Sequence, residues 1–377
     1  MTESIAAGMG SRLRICHVAR TGLVGGVESV IRGLATGLSD RGHDVTVLSL
    51  EDPSAPIDAF RGIAGRVRVE MVPAPARRYL SHRRSLAVAL AAAGAEIVHT
   101  HGYHADVVGI MAASGLGRPV VSTAHGFAGG SARNRLYEWI DRRCLRHAET
   151  VVAVSKPLVE RLARSGVDRA RIRLIPNGLS TGSPPASREA ARQALGLPPD
   201  GLVCGWVGRL SEEKGPDVFV RALPLVPKAW RASIVGSGPM GDRLRDEADA
   251  LGVTDRIRWH GVVPEAGRLL AAFDVLVLSS RTEGTPMVVL EAMAARVPLV
   301  VTAVGGVPDV VNDQEAILVA PDAPEALAAA IASVSDRPEV AKSRVDRASQ
   351  RLAADFSASA WLDRHESVYR RLSPIRS

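Results

Sequence analysis

The sequence predicts an α/β protein made of two doubly wound parallel sheets that face one another across a cleft. Three observations lead there. A length of 377 residues suits about two domains. Short apolar runs alternate with helical patterns, which is the rhythm of a parallel sheet. That rhythm breaks once near residue 180 and then restarts.

Each element follows from its residues. RICHVA (14–19) is an apolar run suited to a buried strand, and RTGLVGGVE (20–28) is a glycine loop. In SVIRGLATGLSDRG (29–42), Val30, Ile31, Leu34, Ala35 and Leu38 recur at helical spacing. HDVTVLSL (43–50), IVHTH (97–101), VVSTA (120–124), TVVAVS (150–155) and RIRLIP (171–176) are the further strands of the first half. GLSTGSPPASREAARQALGLPPDG (178–201) begins and ends in Gly, Ser and Pro around one short helix, and reads as a connection. LVCGWVGR (202–209), RASIVGSG (231–238), IRWHG (257–261), DVLVLSS (274–280) and PLVVTA (298–303) are the strands of the second half. The expected division is a first domain at 1–180, a linker at 181–200 and a second domain at 201–356. SASAWLDRHESVYRRL (357–372) reads as a helix, with 357–377 expected to pack back on the first domain.

Composition narrows the function. Hydrophobic residues make up 46% and charged residues 23%, ordinary for a globular chain with a large core. The three cysteines, Cys16, Cys144 and Cys204, are far apart and form neither a disulfide framework nor a metal spacing. A reduced, cytoplasmic setting is expected. The first dozen residues lack the pattern of a secretion signal, and no apolar run approaches the ~18 residues that span a bilayer. Net charge is +7 and falls on the first half: residues 1–200 hold 26 Lys and Arg against 17 Asp and Glu, while 201–377 hold 21 against 23. Aromatic content of 4% and the lack of a recognition motif argue against a nucleic-acid partner.

Several motifs carry chemistry. GSGPMG (236–241) matches G-x-G-x-x-G, with Asp255 downstream, but Pro239 interrupts the fingerprint and no hydride-transfer residues accompany it. In GLVGGVE (22–28), Gly25 and Gly26 permit a ligand to approach backbone at a helix start, or simply make a tight turn. GRLSEEKG (208–215) puts Arg209 and Lys214 at a strand's carboxyl end, suited to a diphosphate or else paired with Glu212 and Glu213. HTHGYH (99–104) suggests a metal but lacks third and fourth ligands, so His99, His101 and His104 read as structural or positioning residues. His125, in STAHGF, ends its own strand and is placed to reach the cleft.

EGTPMVVLEAMAAR (283–296) says most. Thr285 is expected to cap a helix, Pro286 to open it, and Met287, Leu290, Met293 and Ala294 to form its buried stripe. Glu283 then precedes the helix, and Glu291 lies about 7 Å along the axis from Pro286. Between the two acids is the positive helix end with its free N–H groups. Hydroxyls at both ends of a ligand and a diphosphate in its middle would fit, which is the form of a nucleotide sugar. Otherwise the stretch is an amphipathic helix with Glu291 on its wet face.

These motifs, taken in order, resemble the retaining glycosyltransferases of family 4 (group 1), which have the GT-B fold. The resemblance runs through GGVE, RGHDVTVL, AVSK (153–156), IPNG (175–178), VGRLSEEKG, IVGSGP and EGTPMVVLEAMAARVPLVVTAVGGVPDVV, with Glu283 and Glu291 as its E-x7-E. It implies that Arg209 and Lys214 neutralise the donor diphosphate, Glu291 holds the ribose, and Glu283 touches the transferred sugar. The amides of Gly284, Thr285, Met287 and Val288, in the run through Pro286, would meet sugar and phosphate. Gly25, Gly26 and Gly238 would border the donor, His260 and Gly261 would face the base, and His125 would lie near the reacting carbon. His125, Arg209, Lys214 and Glu283 are thus the implied catalytic set, with no cofactor and no metal. Arg296 and Ala316 stand where the family tends to have glycine.

The expected reaction is transfer from a nucleotide-diphosphate sugar, UDP-linked foremost, to a lipid-linked or saccharide hydroxyl, in cell-surface polysaccharide or glycolipid synthesis. A nucleotide-sugar epimerase of the same fold, a non-catalytic nucleotide or glycan binder, and an NAD-dependent oxidoreductase are the alternatives. ARRYLSHRRSLAVAL (76–90) places Arg77, Arg78, Arg83 and Arg84 beside Tyr79, Leu80, Leu86 and Val88. It is a candidate peripheral contact with an anionic membrane, or an arginine-rich surface helix.

Overall fold

A computed structural model describes residues 11–20, 25–51, 60–74, 79–126, 139–140, 142–180 and 184–373. The first sheet consists of β1 (Arg14–Ala19), β2 (Asp44–Glu51), β3 (Arg68–Pro73), β4 (Ile97–His101), β5 (Val120–Ala124), β6 (Thr150–Ala153) and β7 (Ile172–Leu174). Its order is β3-β2-β1-β4-β5-β6-β7, with every pairing parallel. The second consists of β8 (Leu202–Val207), β9 (Trp230–Val235), β10 (Ile257–Gly261), β11 (Val275–Leu278), β12 (Leu299–Thr302) and β13 (Ile317–Val319), in the order β10-β9-β8-β11-β12-β13. Both sheets reverse direction beside their first strand, the switch point where α/β sheets bind ligands. The fold class is GT-B.

Parallel sheets are covered on both faces, so their central strands are apolar throughout. β1, β4, β5, β6, β11 and β12 follow this rule and are buried along nearly their whole lengths. Two strands escape sequence reading for the opposite reason. β3 is an edge strand with exposed Arg68 and Met71, and β13 has only three residues. The Gly26–Asp40 helix buries Val30, Ile31, Leu34, Ala35 and Leu38 as its spacing predicted.

The chain crosses between the sheets twice, side by side. Leu179 N–H donates to the Phe356 carbonyl at 3.0 Å. The Ala358–Leu372 helix then lies on the first domain, where Trp361, Leu362, Val368 and Tyr369 join the core around Ile15, Ile31 and Leu34. The stretch expected as a linker is only partly one. Its Arg188–Ala194 helix is built into the second domain through Ala191 and Leu195. Arg192, 1% exposed, ties it down by donating to the carbonyls of Ala272, Pro198, Pro199 and Gly201 and pairing with Asp274.

The basic segment also differs in detail. Residues 75–78, with Arg77 and Arg78, lie outside the described residues. In the Tyr79–Ala92 helix Arg83, Arg84 and Val88 are exposed, but Leu86 is fully buried in the first core and has no outward role. No helix among the described residues is long and apolar enough to cross a membrane.

Candidate functional site

Loops leaving the carboxyl ends of β5 and β6 touch loops leaving β11 and β12. Thr285 Oγ1 donates to the Val154 carbonyl at 2.5 Å, and Asn177 Nδ2 donates to the Thr285 carbonyl at 3.4 Å. A β-carbon on Gly284 would stand 2.2 Å from the His125 carbonyl oxygen, so this backbone passes directly over His125. The Lys156 N–H donates to Asp309 Oδ2 at 2.8 Å beside them. Thr285 therefore does not cap the following helix. Its hydroxyl is spent on joining the domains.

That helix runs Met287–Ala294, with Pro286 in extended conformation just before it and no side-chain cap. Pro286 is thus the cap position rather than the first helical residue, which leaves the starting N–H groups open. Val289, Leu290, Ala292 and Met293 are its buried residues, while Met287 and Ala294 are only half-buried. Met287 packs against both domain cores. A β-carbon at Gly26 would lie 3.6 Å from Met287 Cγ, so the starts of the Gly26–Asp40 and Met287–Ala294 helices converge from opposite domains. Gly25 is the extended cap residue of the former, and both glycines are exposed.

Glu283 has a side chain only 5% exposed, and a charge so placed needs partners. Lys214 Nζ donates to both its oxygens at 2.7 and 2.9 Å, and Ser280 Oγ donates to Oε1 at 2.6 Å. The loop after β12 holds the backbone. Gly306 N–H donates to the Glu283 carbonyl at 3.1 Å, and Gly305, at φ 51, sits where a β-carbon would be 2.1 Å from that same oxygen. Only glycine meets both demands. Lys214 is thus not paired with Glu212 or Glu213. Two of its three ammonium protons serve Glu283, leaving one for a ligand.

Arg209 is exposed, and no hydrogen bond or ion pair engages its side chain among the described residues. The turn that carries it rests on the glycine loop after β9. β-Carbons at Gly236 and Gly238 would lie 1.8 Å from the Gly208 carbonyl and 2.4 Å from the Leu210 carbonyl. Backbone fills the places where a dinucleotide fingerprint would need open space, so GSGPMG braces the Arg209 turn.

Glu291 is half-buried, and its carboxylate has no hydrogen bond or ion pair among the described residues. Burial raises its carboxyl pKa, partly opposed by the Arg32 guanidinium of the first domain. A β-carbon at Gly267 would come within 2.5 Å of Glu291 Cδ, so a glycine makes room for this acid. His260 Nε2 lies 2.8 Å from Ser233 Oγ, and burial followed by Arg258 lowers its pKa.

His125 is half-buried, with its Nε2 3.1 Å from His101 Nδ1. Burial lowers its pKa to about 4, so the imidazole is neutral at pH 7. His17, His99 and His101 offer nitrogens that all lie within 4.8 Å of one another. This supplies the third histidine that HTHGYH lacked. Both His99 nitrogens are already engaged, Nδ1 with Tyr369 Oη at 2.6 Å and Nε2 with Thr123 Oγ1 at 2.7 Å.

Sequence reading named the two acids, the two cations and His125; the fold joins Lys214 to Glu283, sets the His125 and Gly284 backbones in contact, and leaves Arg209 exposed. It missed Ser280, Gly305 and Gly306, Gly267, Arg32 and His17. Of these, only the paired glycines of TAVGGVPD carried a visible signal. The two departures from glycine also resolve. Arg296 adopts the left-handed conformation, φ 57, and pairs with Asp346. Ala316 is fully buried without a positive φ, so a methyl group is accommodated there.

Comparison with known proteins points one way. The family described as Glycosyl transferases group 1 matches residues 201–337, and Glycosyltransferase Family 4 matches 24–182. A D-inositol 3-phosphate glycosyltransferase of Acidothermus cellulolyticus is 30% identical over 84% of this chain and 79% of its own. A glycogen synthase of Mycobacterium tuberculosis is 30% identical over 89% of this chain and 88% of its own. A 2-deoxystreptamine N-acetyl-D-glucosaminyltransferase of Streptomyces fradiae is 29% identical over 79% of each. Among solved structures, Anabaena Alr3699/HepE in complex with UDP and glucose superimposes with a TM-score of 0.82 at 21% identity, covering 95% of this chain and 99% of that one. The sucrose-phosphate synthase of Thermosynechococcus elongatus gives 0.81 at 24% identity, covering 96% and 99%.

Proposed function

The chain belongs to the group 1, family 4 glycosyltransferases, and from that premise we propose that it transfers a sugar, with retention, from a nucleotide-diphosphate donor to a hydroxyl acceptor. UDP is the favoured carrier, in keeping with the UDP-bound Anabaena structures of the same fold. The acceptor is a saccharide or a lipid-linked saccharide, in cell-surface polysaccharide or glycolipid synthesis.

One observation carries this reading. An acid without a side-chain partner among the described residues (Glu291) and a paired acid (Glu283) flank a helix start whose N–H groups lack a side-chain cap. Glu291 would accept from the ribose hydroxyls, and the helix start would meet the diphosphate. Glu283, held by Lys214 and Ser280, keeps lone pairs for hydroxyls of the transferred sugar. Charge gathers on the diphosphate as the glycosidic bond breaks. Arg209, the remaining proton of Lys214 and the helix dipole would stabilise it without a metal ion. With the leaving phosphate on one face, the acceptor hydroxyl attacks from that same face and passes its proton to a phosphate oxygen. Glu283 is not assigned as a nucleophile, because its carboxylate is committed to Lys214 and Ser280. His125 would meet the transferred sugar. Exposed Arg83 and Arg84 would rest on an anionic membrane when the acceptor is lipid-linked.

The test is product analysis. UDP-, GDP- and ADP-sugars are incubated with a saccharide and lipid-saccharide acceptor panel in EDTA, and the anomeric configuration is read by NMR. Transfer with retained configuration is expected. An inverted product or a strict metal requirement refutes the mechanism. Epimerised donor, or nucleotide binding with no turnover across the panel, refutes the assigned reaction.

A further inference from the structure

The buried histidines of the first domain form a directed chain. His17 lies in β1, His101 ends β4 and His125 follows β5, three strands adjacent in the sheet. Register places His17 opposite His99 and His101 opposite Thr123. Residues two apart on a strand share a face, so His101 and His125 lie one diagonal step from His17 and His101 respectively. His17 Nδ1 is 3.1 Å from His101 Nε2, and His101 Nδ1 is 3.1 Å from His125 Nε2. The rings incline by only 27° and 29° along the chain.

Burial keeps all three imidazoles neutral, with His17 lowered to about 3, His125 to about 4 and His101 well below its ordinary value. A neutral imidazole carries one N–H. Three rings and two hydrogen bonds leave one N–H at an end of the chain. One end is His17 Nε2, which is sealed in the core without a partner among the described residues. His99 cannot serve it, since both its nitrogens are engaged. The other end is His125 Nδ1, on the half-buried ring of the residue that the Gly284 backbone passes over. A sealed N–H without an acceptor is the rarer arrangement. The proton therefore belongs on His125 Nδ1.

We infer that His17 and His101 are positioning residues that lock His125 as an Nδ1–H donor aimed at an oxygen of the transferred sugar. The inference rests on the reading of His125 as a donor-sugar contact. Without the chain, neutral histidine can take either tautomer, and half of that choice would present a bare acceptor to the sugar.

Tautomers are read directly by long-range 1H–15N NMR of the full-length protein labelled at histidine, in which a His125→Asn sample identifies the ring signals. His125 is expected as the Nδ1–H form at pH 7, and an Nε2–H form overturns the inference. Two variants of similar size separate positioning from packing. His101→Asn can place an amide N–H where Nδ1 sits and keep the link to His125. His101→Gln reaches instead toward His17 and breaks that link. The Gln variant should lose roughly tenfold in kcat with donor KM within about twofold, while the Asn variant keeps most of the rate. Equal rates in both, or equal losses in both, overturn the positioning role. The spectrum needs no donor, so failure of the transferase reading leaves the tautomer result decisive on the chain itself. Stoichiometric uptake of Zn2+ alone that removes the His17 and His101 signals also overturns it.

Discussion

Replacing Glu291 should change binding and stability in opposite directions. Its carboxylate is half-buried, crowded by Gly267 and without a hydrogen-bonding partner among the described residues. If it receives two ribose hydroxyls, two charge-assisted hydrogen bonds are at stake, each worth about 1.5–3 kcal/mol. Loss of water from the hydroxyls offsets part of this, so Glu291→Ala should weaken binding by about 2–4 kcal/mol. That is roughly thirty- to seven-hundredfold in Kd. Glu291→Gln keeps an uncharged acceptor and should lose only about 1–2 kcal/mol, roughly five- to thirtyfold.

The free protein should respond oppositely. Burial raises the Glu291 pKa in the folded state, so the ionised form weakens the fold at neutral pH. Glu291→Gln should gain about 0.5–1.5 kcal/mol at pH 7. The folded state binds the proton more readily, so wild type gains stability as pH falls through the folded pKa. It meets the Gln variant below the ordinary glutamate range. Titration calorimetry with UDP, GDP and ADP gives the first quantity, and urea unfolding from pH 4 to 8 gives the second. Unchanged affinity in both variants for every nucleotide refutes the ribose assignment, and a loss of stability in Glu291→Gln at pH 7 refutes the unfavourable burial of its carboxylate.

Substitutions at three further positions probe the site and its supports. Arg209→Ala removes an exposed side chain that has no partner among the described residues. Stability should stay within about 0.5 kcal/mol while kcat falls roughly a hundredfold, and a loss confined to donor KM in initial-rate measurements would exclude a leaving-group role. Thr285→Val leaves the Val154 carbonyl without its hydroxyl partner and should cost about 1–3 kcal/mol in urea unfolding; an unchanged midpoint denies that contact a part in joining the domains. Arg296→Gly relieves a left-handed residue worth about 1–2 kcal/mol but loses the exposed pair with Asp346, worth up to about 1 kcal/mol. It should unfold at equal or higher urea than wild type, whereas Arg296→Ala, which keeps the strain and loses the pair, should unfold earlier.

Much of this protein was legible because its decisive signals are local. An apolar run between turns specifies a buried parallel strand, and β1, β4, β5 and β10 fall within the runs that predicted them. Edge and very short strands were missed, because solvent on one side removes the apolar signal from β3 and three residues cannot display a pattern in β13.

The candidate site divides along the same line. Glu283 and Glu291 are legible as a pair because one helix start relates them, and residues a few positions apart keep that relation wherever the helix goes. Their partners belong to the tertiary structure. Lys214 reaches Glu283 across 69 positions of chain, and Thr285 reaches Val154 across 131. A local pattern suggested that Lys214 would pair with its neighbours Glu212 and Glu213 and that Thr285 would cap its own helix. Both lost to distant partners, because a buried carboxylate and a buried carbonyl cost more to leave unpaired than a surface ion pair or a helix cap returns. The histidine chain is the same case: its members are spread over three strands, and only the register of a folded sheet sets their nitrogens in line.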